Sequence, residues 1–138
     1  MQDVRKLAVY SEARELAVVV YRFSLSLPDV ERYCLAQQMR RAAVSVASNI
    51  AEGCGRKGSR ALVPFLHYAI GSTKELEFQV ELAVSLSYCE SNEGDVLIGR
   101  IDRTRRMLIR LESAVQRRLR RETSSSLPTP HSPPGQPK

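Results

Sequence analysis

"MRRAAVSVASNIAEGCGRKG", Met39 to Gly58, opens on two arginines, sets serines, an asparagine and a glutamate among alanines and valines, and ends in three glycines. At about 100° per residue, Leu35, Met39, Ala42, Val46 and Ile50 fall on one side of a helix. Ala43, Ala47, Ala51 and Val44 continue that apolar surface around roughly half the circumference. Arg41, Ser45, Ser48 and Glu52 fall together on the other side, with Asn49 at the border. The apolar arc is wider than the ~100° stripe of a helix packed on one side only. Its alanines also permit close approach of another backbone. The helix is therefore expected to touch more than its own domain, which makes self-association an expectation.

Working outward, this second helix runs from about Val30 to Ala51, and Gly53, Gly55 and Gly58 release the chain from helical geometry. Before it, Val9, Ala13, Leu16, Val20 and Phe23 repeat at spacings of four, three, four and three, a heptad-like stripe. That stripe stops at "SLSLPD", where Pro28 disfavours helical geometry in Leu27. Ser59 is the expected cap of a third helix that runs to about Leu86. Pro64 sits early in it, where a missing N–H costs least. Its apolar face is Leu62, Leu66, Ala69, Ile70, Thr73, Leu76, Val80 and Val84. After "YCESNEGD", a fourth helix shows Leu97, Ile101, Thr104, Leu108, Leu111, Val115 and Leu119. Four long helices with short connections predict an all-α fold, an antiparallel up-down-up-down four-helix bundle over residues 1–122.

The last 16 residues, Thr123 to Lys138, hold five of the seven prolines and four serines. With almost nothing apolar to bury, residues 123–138 are expected to form a disordered tail. At 138 residues the chain is one domain. No segment resembles a signal peptide or is apolar over the roughly 18 residues of a membrane span. Cys34, Cys54 and Cys89 are odd in number and widely spaced, so they read as free thiols rather than a disulfide or zinc framework. These features point to the cytoplasm.

Glu77 projects within the apolar face of the third helix, whereas Glu75 projects away from it. A carboxylate taken out of water needs a cation or several donors. Arg40 is the expected partner, with Arg41 or Asn49 as substitutes. Arg40, Arg41, Ser45, Ser48, Asn49, Glu52, Glu75 and Glu77 thus form an expected structural polar network that holds helices in register. The same groups, read as chemistry, would be a ligand or catalytic site.

Little else offers chemistry. "GCGRKG" lacks the spacing of a phosphate loop and follows no strand. Arg56, Lys57 and Arg60 are candidate anion contacts at the third helix's N-terminus. His67 and His131 are the only histidines, and the paired Glu-x-x-His motifs of di-metal bundles are absent. No catalytic, cofactor or metal residues are assigned. From Arg100 to Arg121, nine arginines face two acids, Asp102 and Glu112, a net of +7 in a chain of net +6. Arg103, Arg106, Arg110 and Arg117 lie near one exposed flank and are candidate contacts for a phosphate backbone, RNA or DNA.

"LPDVERYCLAQQMRRAAVSVASNIAEG" followed by "FLHYAIGSTKELEFQVELAVSLSY" resembles the bacterial four-helix-bundle proteins encoded by intervening sequences of 23S ribosomal RNA genes. The most specific elements are Gln38, Arg40-Arg41-Ala42, Ser45, Ser48-Asn49-Ile50-Ala51-Glu52-Gly53, and Gly71-Ser72 with Glu75-Leu76-Glu77. The resemblance covers about residues 4–119. It implies a small helical bundle, homopentameric in some members, with no established enzymatic activity and with nucleic-acid binding suspected from genetic context. Ala47 stands where the family often has proline, Tyr10 where tryptophan is usual, and Pro64 is unusual at its place.

These readings converge on a non-enzymatic, cytoplasmic, self-associating bundle without cofactors, with RNA or DNA as a further partner. The alternative is a scaffold that recruits an acidic protein through the basic last helix and tail. A metal-dependent hydrolase built on Glu52, Glu75 and Glu77 is the third and least favoured.

Overall fold

The computed structural model describes residues 4–126. These residues form four α-helices and no strand: α1 (Val4–Ser24), α2 (Leu35–Cys54), α3 (Ser59–Ser85) and α4 (Ser91–Ser126). A 3-10 turn, Asp29–Glu31, lies between α1 and α2.

Side-chain pairings set the direction of each helix. Arg40, early in α2, reaches Ser24 at the end of α1. Ala51 and Cys54, late in α2, share a cleft with Lys6 and Leu7 at the start of α1. Ser45 meets Ser72 across α2 and α3, while Gly53 lies against Leu62 and Phe65. Glu77 pairs with Arg105, and His67 with Glu112, across α3 and α4. Each pair of chain neighbours is therefore antiparallel. α1 also packs against α4, and the diagonal pairs do not meet. That arrangement is an up-down-up-down bundle.

The apolar stripes read from the sequence are the core. Val9, Ala13, Leu16 and Val20 of α1 are buried, as are Leu35, Met39, Ala42, Val46 and Ile50 of α2. Each fully buried aliphatic side chain contributes roughly 1.5–3 kcal/mol of transfer free energy. The core divides into two clusters. One holds Leu76, Val80, Leu97 and Ile101, and the other Leu66, Ala69, Leu108 and Leu111. Thr73 and Thr104, both without solvent exposure, sit at the level between them. Their hydroxyls donate to Ile70 O and Arg100 O of their own helices, at 2.6 and 3.0 Å, so neither is left unsatisfied.

Helix ends differ from the sequence reading in four places. α2 starts at Leu35 and not near Val30, because Pro28 leads into the 3-10 turn. There the Glu31 carboxylate accepts the Leu35 N–H at 3.0 Å and serves as the missing cap. Gly58, at φ +88°, occupies the cap position of α3. Ser59 is instead the first helical residue, and its side chain makes no capping bond. α2 runs on to Cys54 and not Ala51, so Gly53 lies inside the helix and only Gly55 and Gly58 follow its end. Finally, α4 continues through Ser126, four residues into the stretch expected as tail. The rest of that stretch, 127–138, lies outside the described residues, as does His131.

Gly53 marks a close contact between α2 and α3. A Cβ there would come within 2.7 Å of Leu62 Cδ1 and 2.8 Å of Phe65 Cβ. Only glycine lets α2 and α3 approach this closely at their shared end. Among the described residues no helix is long and apolar enough to cross a membrane.

Candidate functional site

The polar residues expected to form one network are distributed over several separate contacts. Glu77 does not meet Arg40. Its carboxylate accepts from Arg105 of α4 through both oxygens, Nη2 to Oε1 at 2.9 Å and Nη1 to Oε2 at 3.2 Å. Asp102 Oδ1 stands 3.8 Å from the same Arg105 Nη2. Arg105 Nε is buried without a hydrogen-bond partner, so this guanidinium depends on Glu77 for its solvation.

The reason lies in the side of α3 on which Glu77 projects. Glu77 shares a heptad column with Val63, Ile70 and Val84. His67 and Val84, near that side, contact Glu112 and Gly94 of α4. The facing column of α4 contains Ile98, Arg105, Glu112 and Leu119, and Arg105 is its only cation. Arg105 was not singled out by charge clustering, because it lies among nine arginines. The signal that would have found it is its position one heptad before Glu112.

Arg40 faces α1 instead. It donates to Ser24 Oγ at 3.2 Å and to Arg32 O at 3.1 Å, and its guanidinium lies 6.0 Å from the Tyr21 ring centre. It thereby ties the end of α1 and the turn before α2 to α2 itself. Ser45, Asn49 and Ser72 form a second contact. Ser45 and Ser72 hydroxyls are 2.8 Å apart, and Asn49 Nδ2 donates to Ser45 O at 2.8 Å and to Ser45 Oγ at 3.0 Å. Arg41 and Ser48 are exposed. Glu52 pairs with Arg56, two residues past the end of α2, at 2.6 Å, and Glu75 accepts from Gln79 at 3.2 Å. Glu52, Glu75 and Glu77 therefore have three different sets of partners. Among the described residues no three His, Cys, Asp or Glu side chains converge as metal ligands would.

The candidate anion contacts also separate. Arg56 is held by Glu52 and lies 5.4 Å from the Phe65 ring centre. Arg106 pairs with Asp102 at 2.6 Å, and Arg103 lies 3.9 Å from Glu12. Lys57, Arg60 and Arg110 are exposed. Arg117 lines a cleft with Arg5, Lys6, Arg118 and Arg121.

The thiols differ in setting. Cys34 and Cys54 are exposed and Cys89 is half-buried. Desolvation raises the Cys54 thiol above its ordinary value, with Lys6 opposing, and raises Cys89, with Glu93 adding to the effect. Raised thiols hold less thiolate at neutral pH, the reverse of what a nucleophilic cysteine needs.

A crystal structure of a protein of unknown function from the S23 ribosomal protein family of Bacteroides thetaiotaomicron VPI-5482 superposes with a TM-score of 0.74. It is 18% identical and covers 80% of this chain and 99% of its own, so the likeness concerns the fold. No curated protein matches the chain significantly. The family model described as 23S rRNA-intervening sequence protein matches residues 5–110. Neither description names a reaction. Through a match over most of its helical core, with the bundle architecture alongside, the chain belongs to the 23S rRNA-intervening sequence protein family.

Proposed function

We propose that this protein is a non-enzymatic bundle that assembles with copies of itself through the outer face of α1 and α2. One observation carries the reading: that face leaves apolar side chains in water. Val18 and Tyr21 of α1 are 50% and 48% exposed, and Val44 of α2 is 41% exposed. At helical spacing Leu7 lies on the same flank of α1, and Ala47 and Ala51 on the same flank of α2. Leu7 and Ala51 share a cleft of about 390 Å³ between the two helices. Tyr21 and Val44 share another further along. A run of this kind, crossed by Arg14 in line with Leu7 and Tyr21 and bordered by Gln37 and Arg41, has the make-up of a subunit contact.

A ring needs two different faces on each subunit, because a head-to-tail contact closes only by rotation. The exposed Tyr68 and Phe78 of α3 offer a second apolar surface. Five subunits is the number that the resemblance implies, and the family match supports the comparison.

Light scattering at micromolar concentration tests the proposal. The expected mass is a multiple of 15.5 kDa. Val18→Glu with Val44→Glu is expected to give a folded monomer. A wild-type protein that is monomeric at tens of micromolar would overturn the reading.

A further inference from the structure

We infer that a second copy of this chain lays its α3 along the outer face of α1, with Glu75 of that copy paired to Arg14. The inference rests on the self-association proposed above and names the two surfaces that meet in it.

Two columns of side chains carry it. Leu7, Arg14 and Tyr21 stand exposed on α1 at steps of seven, and exposed Leu25 follows four residues beyond. Tyr68, Glu75 and Leu82 stand on α3 at the same steps, and Leu86 again follows four residues beyond. Of these, Leu82 is half-buried and the others are exposed. Side chains seven apart lie nearly above one another on a helix. Each column is therefore an apolar strip interrupted once by a charge, and the two charges are opposite. With Arg14 set against Glu75 and the helices running the same way, Leu7 meets Tyr68, Tyr21 meets Leu82 and Leu25 meets Leu86. Ser11 and Gly71 are the outward residues between the first two of these layers. A Cβ at Gly71 would meet nothing within 4 Å in its own chain. Glycine weakens a helix interior, and close approach of another helix gives a reason for it.

The occupant follows from the match, because the chain itself carries both strips at one spacing. Among the described residues Arg14 has no ion-pair partner within 4 Å, and Glu75 accepts from Gln79 of its own helix. A cation inside an apolar contact needs an acid, and an opposed pair fixes register. The geometry also suits closure. α1 and α3 stand diagonally and run parallel, and both columns lean toward α2. Leu7 and Tyr21 share clefts with Ala51 and Val44, while Ser72, three residues before Glu75, meets Ser45. The two contact faces therefore make less than a straight angle, so successive copies turn the same way. Such a head-to-tail contact closes by rotation, and rotation about the bundle axis keeps neighbouring α1 and α3 parallel.

The test is charge exchange in the full chain, read by light scattering over a dilution series through the micromolar range. Arg14→Glu and Glu75→Arg each place like charges in the contact and should each weaken assembly by at least about tenfold. The double exchange, Arg14→Glu with Glu75→Arg, should restore assembly to within about threefold of wild type. Arg22→Glu on α1 and Glu81→Arg on α3 make the same charge changes outside the columns and should cost less than about threefold. Arg14→Gln and Glu75→Gln remove the pair without adding repulsion and should weaken assembly in the same direction, a second reading should a reversal disturb its helix. A wild-type protein that assembles while the single reversals leave its mass unchanged, or while the double exchange fails to rescue, overturns this contact and leaves self-association standing. A monomeric wild type overturns both.

Discussion

Arg105 holds Glu77 through two parallel hydrogen bonds, at 2.9 and 3.2 Å, across the α3–α4 interface. The Arg105 side chain is only 12% exposed and that of Glu77 28%. Bidentate geometry gives such a pair direction as well as energy. Fully buried pairs cost about 3–5 kcal/mol when one partner is removed. With partial exposure, Glu77→Gln or Arg105→Met should destabilise the fold by about 1–3 kcal/mol. The exposed Glu52–Arg56 pair should contribute only about 0.3–0.5 kcal/mol. Double-mutant cycles by urea unfolding, run at both pairs, measure the contrast. Equal coupling at the two sites would contradict this ranking.

Ser87 adopts φ +62°, the left-handed region, just past the end of α3. The turn there is a Schellman motif: Tyr88 N–H donates to Ala83 O, and Ser87 N–H to Val84 O, each at 2.9 Å. A serine at this position bears a steric cost that glycine does not. Ser87→Gly should therefore stabilise the protein by about 1 kcal/mol. Thermal unfolding measures it, and a lower melting temperature would show that the strain is relieved some other way.

Tyr88 next to this turn donates its hydroxyl to Glu31 Oε1 at 3.2 Å. Desolvation, then the Glu31 charge and this hydrogen bond, raise the phenol above its ordinary value of 10.0. The neutral phenol is thus favoured in the folded state. Its contribution is fully present below pH 10 and is lost as pH rises through the higher folded-state value. Urea midpoints for wild type and Tyr88→Phe should run parallel up to about pH 9 and converge above pH 10. Curves that stay parallel to pH 11.5 would remove Tyr88 from the alkaline response.

Much of the fold was legible in residue spacing. The α1 stripe from Val9 to Val20 and the α4 stripe from Leu97 to Val115 are buried as read. Helix ends were less legible, because caps depend on single side chains reaching one N–H. Glu31 caps α2 from four residues upstream, and Gly58 rather than Ser59 turns the chain into α3. The tail boundary moved because Thr123 to Ser126 extend α4, with Thr123 Oγ1 donating to Leu119 O at 2.9 Å.

The candidate site was only half legible. Glu77 was recognisable as a carboxylate that needs a cation, since it interrupts an apolar face. Which cation it meets was not, because helical periodicity identifies a face without saying which neighbour lies to its left or right. That depends on the handedness with which four helices close into a bundle. By itself, the sequence determined four helices, their inward residues and the small-residue breadth of α2. The tertiary structure decided that Glu77 meets Arg105, that Arg40 turns to Ser24, and that Arg5 and Lys6 join Arg117, Arg118 and Arg121. Those last groups are more than a hundred residues apart in the chain, and only the antiparallel closure of α1 on α4 brings their charges together.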